Sequence, residues 1–228
     1  MEKNSKWKKN KIKVCDNKMI VLVTSGMKAH TKRVNETDMY GDLVTPRCRA
    51  SITRTNGVIG VDNDRFNDNS YSDIEFMKLL IYLSKFKGKD RIKFVSAPDI
   101  PFNAIGTFRD FYKWHTVIKE IFKLPVALVT QDGMTTKSID WDRLDAVFIG
   151  GTTEYKMSHE SIKIIKKAQG LKKWVHVGRV NTAPRFTFFK MLNVDSIDGS
   201  SFSMFQEAQI KLYENTMKQE TLNLQLHS

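Results

Sequence analysis

WVHVGRVNTAPRFTFFKMLNVDSIDGSSFS, residues Trp174 to Ser203, reads as strand, loop, helix, strand. Trp174 to Val177 is a short apolar run that stops at Gly178. Asn181 and Pro184 mark a loop, and Arg185 to Leu192 is an aromatic-rich helical run. Val194 to Ile197 is a second apolar run, stopped by Asp198-Gly199. Two buried strands with a helix between them make a parallel βα unit. A carboxylate at the carboxyl end of such a strand, followed by a glycine and by Ser200, Ser201 and Ser203, is poorly explained by packing. In parallel α/β folds ligands sit at that end of the strands. Asp198 is therefore the residue around which the rest of the chain is read.

Working outward, six further strands are expected: Met19 to Thr24, Asp42 to Thr45, Val58 to Val61, Arg91 to Ala97, Val126 to Thr130 and Asp145 to Ile149. Most are continuous apolar runs, the pattern of strands buried on both faces. Tyr71 to Phe86 carries Ile74, Met77, Leu80, Ile81 and Leu83 at helical spacing, with Ser72 and Glu75 as a capping box. Ala104 to Phe122 and Ser158 to Gln169 are expected helices, as is the tail from Ser203 to Leu224; residues 27–41 read as polar and irregular. Eight strands in 228 residues predict a compact, somewhat irregular (β/α)8 TIM-type barrel, a fold for which ~250 residues is typical. The barrel would occupy 19–228 as a single domain, preceded by a basic arm over 1–18. An open doubly wound sheet is the alternative.

The formal net charge is +12, which points to a polyanionic partner, nucleic acid first. Lysines crowd the first thirteen residues, Lys8 and Lys9 among them beside Trp7, as in an arm that neutralises phosphates. No apolar run approaches the ~20 residues of a membrane span, and the first residues lack the apolar segment of a secretory signal. A cytoplasmic protein without a membrane partner is expected (host cytoplasm if the chain is phage-encoded). Cys15 and Cys48 form no CxxC pair, and His30, His115, His159, His176 and His227 are scattered, so no metal or zinc site is expected. GxGxxG, GxxxxGK[ST] and GxSxG are all absent, so no nucleotide cofactor is expected either.

The strand endings carry more chemistry than the strands. They are Asp62, Asp99, Gln131, Gly150-Gly151, Gly178-Arg179 and Asp198. Each alone is a common turn residue; in a barrel all would face one bowl. Paired carboxylates can serve as nucleophile and acid/base at an anomeric carbon. A further carboxylate, an amide and glycine N–H groups suit the hydrogen-bonding edge of a purine. His176 lies within its strand and reads as a buried, paired, neutral core histidine. Asp195 stands three residues from Asp198, so alternation turns it to the opposite face.

The order of these segments resembles the tRNA-guanine transglycosylases, and more closely their DNA-modifying relatives in phages and bacteria, over roughly Thr45 to Ser203. Where the family carries Asp-Ser-Gly-Gly-Phe, this chain has Asp62-Asn63-Asp64-Arg65-Phe66, with Asp64 and Arg65 in place of the glycines. Ala97-Pro98-Asp99, Thr130-Gln131-Asp132-Gly133, Phe148-Ile149-Gly150-Gly151 and Val177-Gly178-Arg179-Val180-Asn181 match further segments, and Asp195-Ser196-Ile197-Asp198-Gly199 matches the one bearing the nucleophile. The zinc-binding cysteines and RNA-binding segment of the tRNA enzymes have no counterpart, which favours DNA as substrate. The resemblance implies that Asp198 attacks C1′ of a flipped guanosine and Asp62 transfers the proton. A 7-deazaguanine, bound by Asp99, Gln131, Gly150 and Gly151, would then replace guanine. Phe66 is the candidate for stacking on the base, and Arg179, Arg185, Lys190, Lys8 and Lys9 for phosphate contacts. Two alternatives stand beside this reading: a hydrolytic glycosidase that releases the base, and a non-catalytic nucleic-acid-binding barrel.

Overall fold

Eight parallel strands close on themselves in chain order, each hydrogen-bonded to the next and the last to the first. They are β1 (Ile20–Val23), β2 (Tyr40–Val44), β3 (Ile59–Val61), β4 (Ile92–Ser96), β5 (Val126–Thr130), β6 (Ala146–Ile149), β7 (Trp174–Val177) and β8 (Ser196–Ile197). The computed structural model describes residues 19–25, 27–49, 52–66 and 71–200. The expected barrel is the observed one, and the open-sheet alternative falls. The basic arm over 1–18, with Lys8 and Lys9, and the tail helix over 203–224 lie outside the described residues.

The continuous apolar runs have a direct cause. Alternate residues of each strand enter two different cores. Leu22, Leu43, Phe94, Ala127, Val129, Ala146 and Phe148 fill the barrel interior. Val21, Val23, Val95, Val126, Leu128, Val147, Ile149, Val175 and Val177 point outward and pack under the helices. Those helices are α1 (Lys28–Glu36), α2 (Asp73–Ser84), α3 (Ala104–His115), α4 (Thr153–Lys156), α5 (His159–Gly170) and α6 (Ala183–Met191). Ser72 caps α2 by accepting from the Glu75 amide at 3.4 Å, and Ser158 caps α5 by accepting from the Ser161 amide at 3.2 Å. A π-helical turn, Thr116–Ile121, extends α3. Among the described residues no helix is long and apolar enough to cross a membrane.

One stretch departs from expectation. Residues 27–41, read as irregular, contain the nine-residue helix α1. Its buried residues are His30 and Val34, four apart. His30 Nε2 meets Asp42 Oδ1 at 3.0 Å, and Thr55 Oγ1 donates to Asp42 Oδ2. Asp42 is wholly buried. The helix is thus anchored by a buried polar cluster rather than an apolar stripe, and hydrophobic periodicity cannot register it.

Candidate active site

A cavity of about 570 Å3 opens at the carboxyl ends of the strands, and every expected strand ending lines it: Asp62, Asp99, Gln131, Gly150-Gly151, Gly178-Arg179 and Asp198. Its size falls in the ~300–1,000 Å3 range of small-molecule sites. Strand alternation delivers most of these side chains. Gln131 follows the inward Val129, Gly150 follows Phe148, and Asp198 follows Ser196. Asp195 is on the other face, where its carboxylate accepts from the Val175 amide at 2.7 Å. Gly178 is required by close approach: a Cβ there would lie 2.4 Å from Phe148 Cε2.

The two expected catalytic acids share this cavity but sit in different surroundings. Asp198 Oδ1 accepts from the Arg179 amide at 3.0 Å, and Oδ2 pairs with His176 Nε2 at 2.9 Å. Among the described residues the Asp62 carboxylate has only long hydrogen bonds, with the Asp64 amide at 3.4 Å and Ser96 Oγ at 3.5 Å. Burial, and then the charges of Asp198 and Asp99, push the Asp62 carboxyl up to about 7. One acid is thereby set to hold a proton near neutrality while the other is clamped by donors, the division of labour that paired-carboxylate sites need.

The base-binding candidates form a connected edge on the cavity wall. Asp99 Oδ1 accepts from Asn63 Nδ2 at 2.9 Å and Oδ2 from Gln131 Nε2 at 2.7 Å. Gln131 Oε1 accepts from the Phe102 amide at 2.9 Å. Burial raises the Asp99 carboxyl above its ordinary range. Beside this edge, at the end of the neighbouring strand β6, Gly151 adopts φ +74°, a left-handed conformation that favours glycine. The following turn is tied down by Asp132, whose carboxylate accepts from the Thr152 amide at 2.8 Å and from Thr152 Oγ1 at 2.5 Å.

The turn after Asp62 places a non-glycine residue at positive φ. Asp64 takes φ +66°, which aspartate tolerates better than most residues. Arg47 grips its carboxylate from the β2–β3 loop through Nε and, at 2.7 Å, Nη2. Arg65 is drawn away to Asp110 at 2.7 Å and lies over the Tyr71 ring at 4.8 Å. A positive φ that glycine adopts freely is thus held here by an ion-paired aspartate.

Three of the expected contact residues have other partners or places in this structure. The Arg179 guanidinium lies 3.9 Å from the centroid of the Phe66 ring and donates to the Gly151 carbonyl at 2.8 Å. Phe66 therefore stacks on Arg179 in this state, so a base can use that face only once the arginine moves. Lys190 lies in the last turn of α6. Barrel helices run back against their strands, so that turn is at the far rim from the cavity. Arg185 stays close, donating from Nη1 to the Arg179 carbonyl at 3.3 Å.

Sequence reasoning missed four contributors. Asn63, Arg47, Lys156 and His176 all support the site, and only His176 had a usable signal. It shares the inward parity of Gly178, one layer deeper, so a rim at Gly178 implies an interior histidine beneath it. Lys156 is 2 % exposed and donates to the Gly178 carbonyl at 2.8 Å. Burial and the neighbouring Arg179 lower its ammonium to about 8.

Compared with known proteins, the chain matches no family model and no curated protein sequence. Among solved structures it is similar to a member of the enolase superfamily from Listeria innocua Clip11262, at 12 % identity and a TM-score of 0.47. The match covers 77 % of this chain and 47 % of the other, so the chain spans about half the length of that neighbour.

Proposed function

We propose that the protein is a guanine-exchanging transglycosylase, acting on DNA, that replaces guanine by a 7-deazaguanine through a covalent aspartyl-glycosyl intermediate. One observation carries this reading. Asp62 and Asp198, a wide gap apart in sequence, line one cavity so closely that the charge of the second helps raise the first to about 7. The Asp99–Gln131 edge and the Gly150-Gly151 turn line the same cavity.

In the first half-reaction an Asp198 oxygen bonds to C1′ while the C1′–N9 bond breaks and its electron pair leaves with guanine. The Asp62 proton passes to the departing purine. In the second half-reaction N9 of the deazaguanine attacks C1′, Asp198 departs as a carboxylate, and the N9 proton returns to Asp62. Both acids end as they began. Flipping the target nucleotide costs a few kcal/mol, offset by phosphate contacts from a chain of net charge +12.

The test is a duplex oligonucleotide with radiolabelled guanine, incubated with the protein with and without 7-deazaguanine. Base exchange predicts release of label beyond one guanine per protein only alongside incorporation; with the incoming base withheld, release stops at one guanine per protein and is matched by a denaturant-stable protein–DNA adduct. Release with abasic sites identifies a hydrolase instead. No release and no adduct, on DNA or on the equivalent RNA, leaves the barrel as a binding protein.

A further inference from the structure

Beneath Asp198 three side chains run in file down the inside of the barrel. Trp174 Nε1 donates to Ser196 Oγ at 2.8 Å. Ser196 Oγ lies 2.9 Å from His176 Nδ1, and His176 Nε2 lies 2.9 Å from Asp198 Oδ2. Strand register makes this possible, because His176 of β7 pairs directly with Ser196 of β8. His176 and Ser196 are wholly buried.

Counting hydrogens gives the direction of each bond. An indole nitrogen can only donate, so Ser196 Oγ accepts from Trp174 and has one hydrogen left to give. The Asp198 carboxylate can only accept, so His176 Nε2 donates to it; in a neutral imidazole Nδ1 is then bare and takes the Ser196 hydrogen. The ring proton is on Nε2 and points at Asp198 Oδ2. The ring cannot turn over to choose otherwise, being packed against Phe94 and Phe148 with centroids 4.8 and 4.5 Å away.

We propose that Trp174, Ser196 and His176 form a positioning relay that fixes the Nε2–H tautomer of His176 and so aims the Asp198 carboxylate into the cavity. The proposal rests on the transglycosylase reading for the reaction it serves, though not for the tautomer itself. The Arg179 amide on Oδ1 and the imidazole on Oδ2 fix the carboxylate plane, leaving the remaining lone pairs for C1′. Without Ser196 the Nδ1 lone pair loses its donor, and on that side nothing keeps the proton on Nε2. A bare Nε2 lone pair would then face the carboxylate and push it out of line.

Two measurements test the relay. The first is 15N NMR of the histidine-labelled protein. Wild type should give the Nε2–H tautomer at His176, and Ser196→Ala should lose it. The second is single-turnover adduct formation on guanine-containing duplex DNA. Ser196→Ala, which touches neither DNA nor base, should slow the adduct about 10–100-fold, the scale set by losing a partner that orients a catalytic ligand. Affinity for 7-deazaguanine should stay unchanged. His176→Phe should lose more. His176→Gln, whose amide can donate to Asp198 and accept from Ser196, should recover much of that loss. An Nδ1–H tautomer in wild type, or adduct formation by Ser196→Ala at the wild-type rate, overturns the proposal. If wild type forms no adduct, the transglycosylase reading fails and the relay stands or falls on the spectra.

Discussion

Asp62→Asn should make the protein more stable and less active, and the size of the first effect follows from the cavity. The Asp62 carboxyl titrates near 7 in the folded protein against an ordinary 3.8. A raised carboxyl favours the folded state when protonated. Its contribution is fully present below pH 3.8 and is lost as pH rises through 7. Above that the fold carries a desolvated anion facing Asp198 and Asp99. Three pKa units at about 1.4 kcal/mol each set a ceiling of about 4 kcal/mol. Integrated between pH 5 and pH 8, the loss is about 2–3 kcal/mol. Asparagine has the shape of the protonated acid and no charge to desolvate. Urea denaturation of wild type and Asp62→Asn at several pH values isolates the term, because histidine titration in the same window is common to both and cancels in the difference. The stability advantage of Asp62→Asn should grow by about 2–3 kcal/mol from pH 5 to pH 8. Parallel curves would refute the claim that this carboxylate is held near neutrality by burial and by its neighbours. The catalytic half is read from adduct formation. Wild type should slow about tenfold per pH unit above 7, as the proton donor is lost. Asp62→Asn should be slow throughout and flat with pH.

Three further perturbations probe the same geometry. Asp198→Ala should abolish the adduct and also lower the Asp62 titration, read from its carboxyl carbon by NMR; an unchanged Asp62 would mean that the two acids do not feel each other. Arg179→Ala should weaken DNA binding and reduce the slope of log K against log salt by about 1 if the guanidinium leaves Phe66 for a phosphate when DNA binds; an unchanged slope would mean that it stays clasped. Asp42→Ala takes the carboxylate away from the buried Thr55 hydroxyl and the His30 imidazole, and at ~1–3 kcal/mol per donor deprived of it it should cost about 2–6 kcal/mol in urea denaturation while each folded molecule forms the adduct at the wild-type rate.

What the sequence could disclose was set by which interactions leave a pattern. Strands whose two faces enter two apolar cores print continuous runs, so all eight were legible, including one reduced to Ser196–Ile197 in the barrel. Helix α1 was not, because it is secured by His30 and Asp42, whose pairing depends on a strand and a helix meeting in space. The rim residues were legible because parallel strands end on one side; the partnerships among them were not. Nothing in the order of residues says that Arg179 spends its guanidinium on Phe66, or that Arg47 stands ready to stabilise Asp64 at a positive φ.

Those two surprises bear on one question, how the mouth of the cavity opens. Phe66 follows β3 and Arg179 follows β7, on opposite sides of an eight-stranded ring, so their stacking spans the opening. A planar guanidinium on an aromatic face occupies the place a planar base would take, with similar chemistry: a cation–π contact of about 0.5–2 kcal/mol gives way to base–aromatic stacking of about 1–3 kcal/mol. Exchanging one for the other is nearly balanced, so under the proposed function entry of a base would require little net work at the mouth and would free a cation for the phosphate that arrives with it. Arg179→Lys keeps the charge but not the flat face. If the exchange operates, that variant should retain the salt slope of wild type while binding free 7-deazaguanine more tightly, because Phe66 is then uncovered before the base arrives. Equal base affinity in the two proteins would show that the stack at the mouth plays no part in admission.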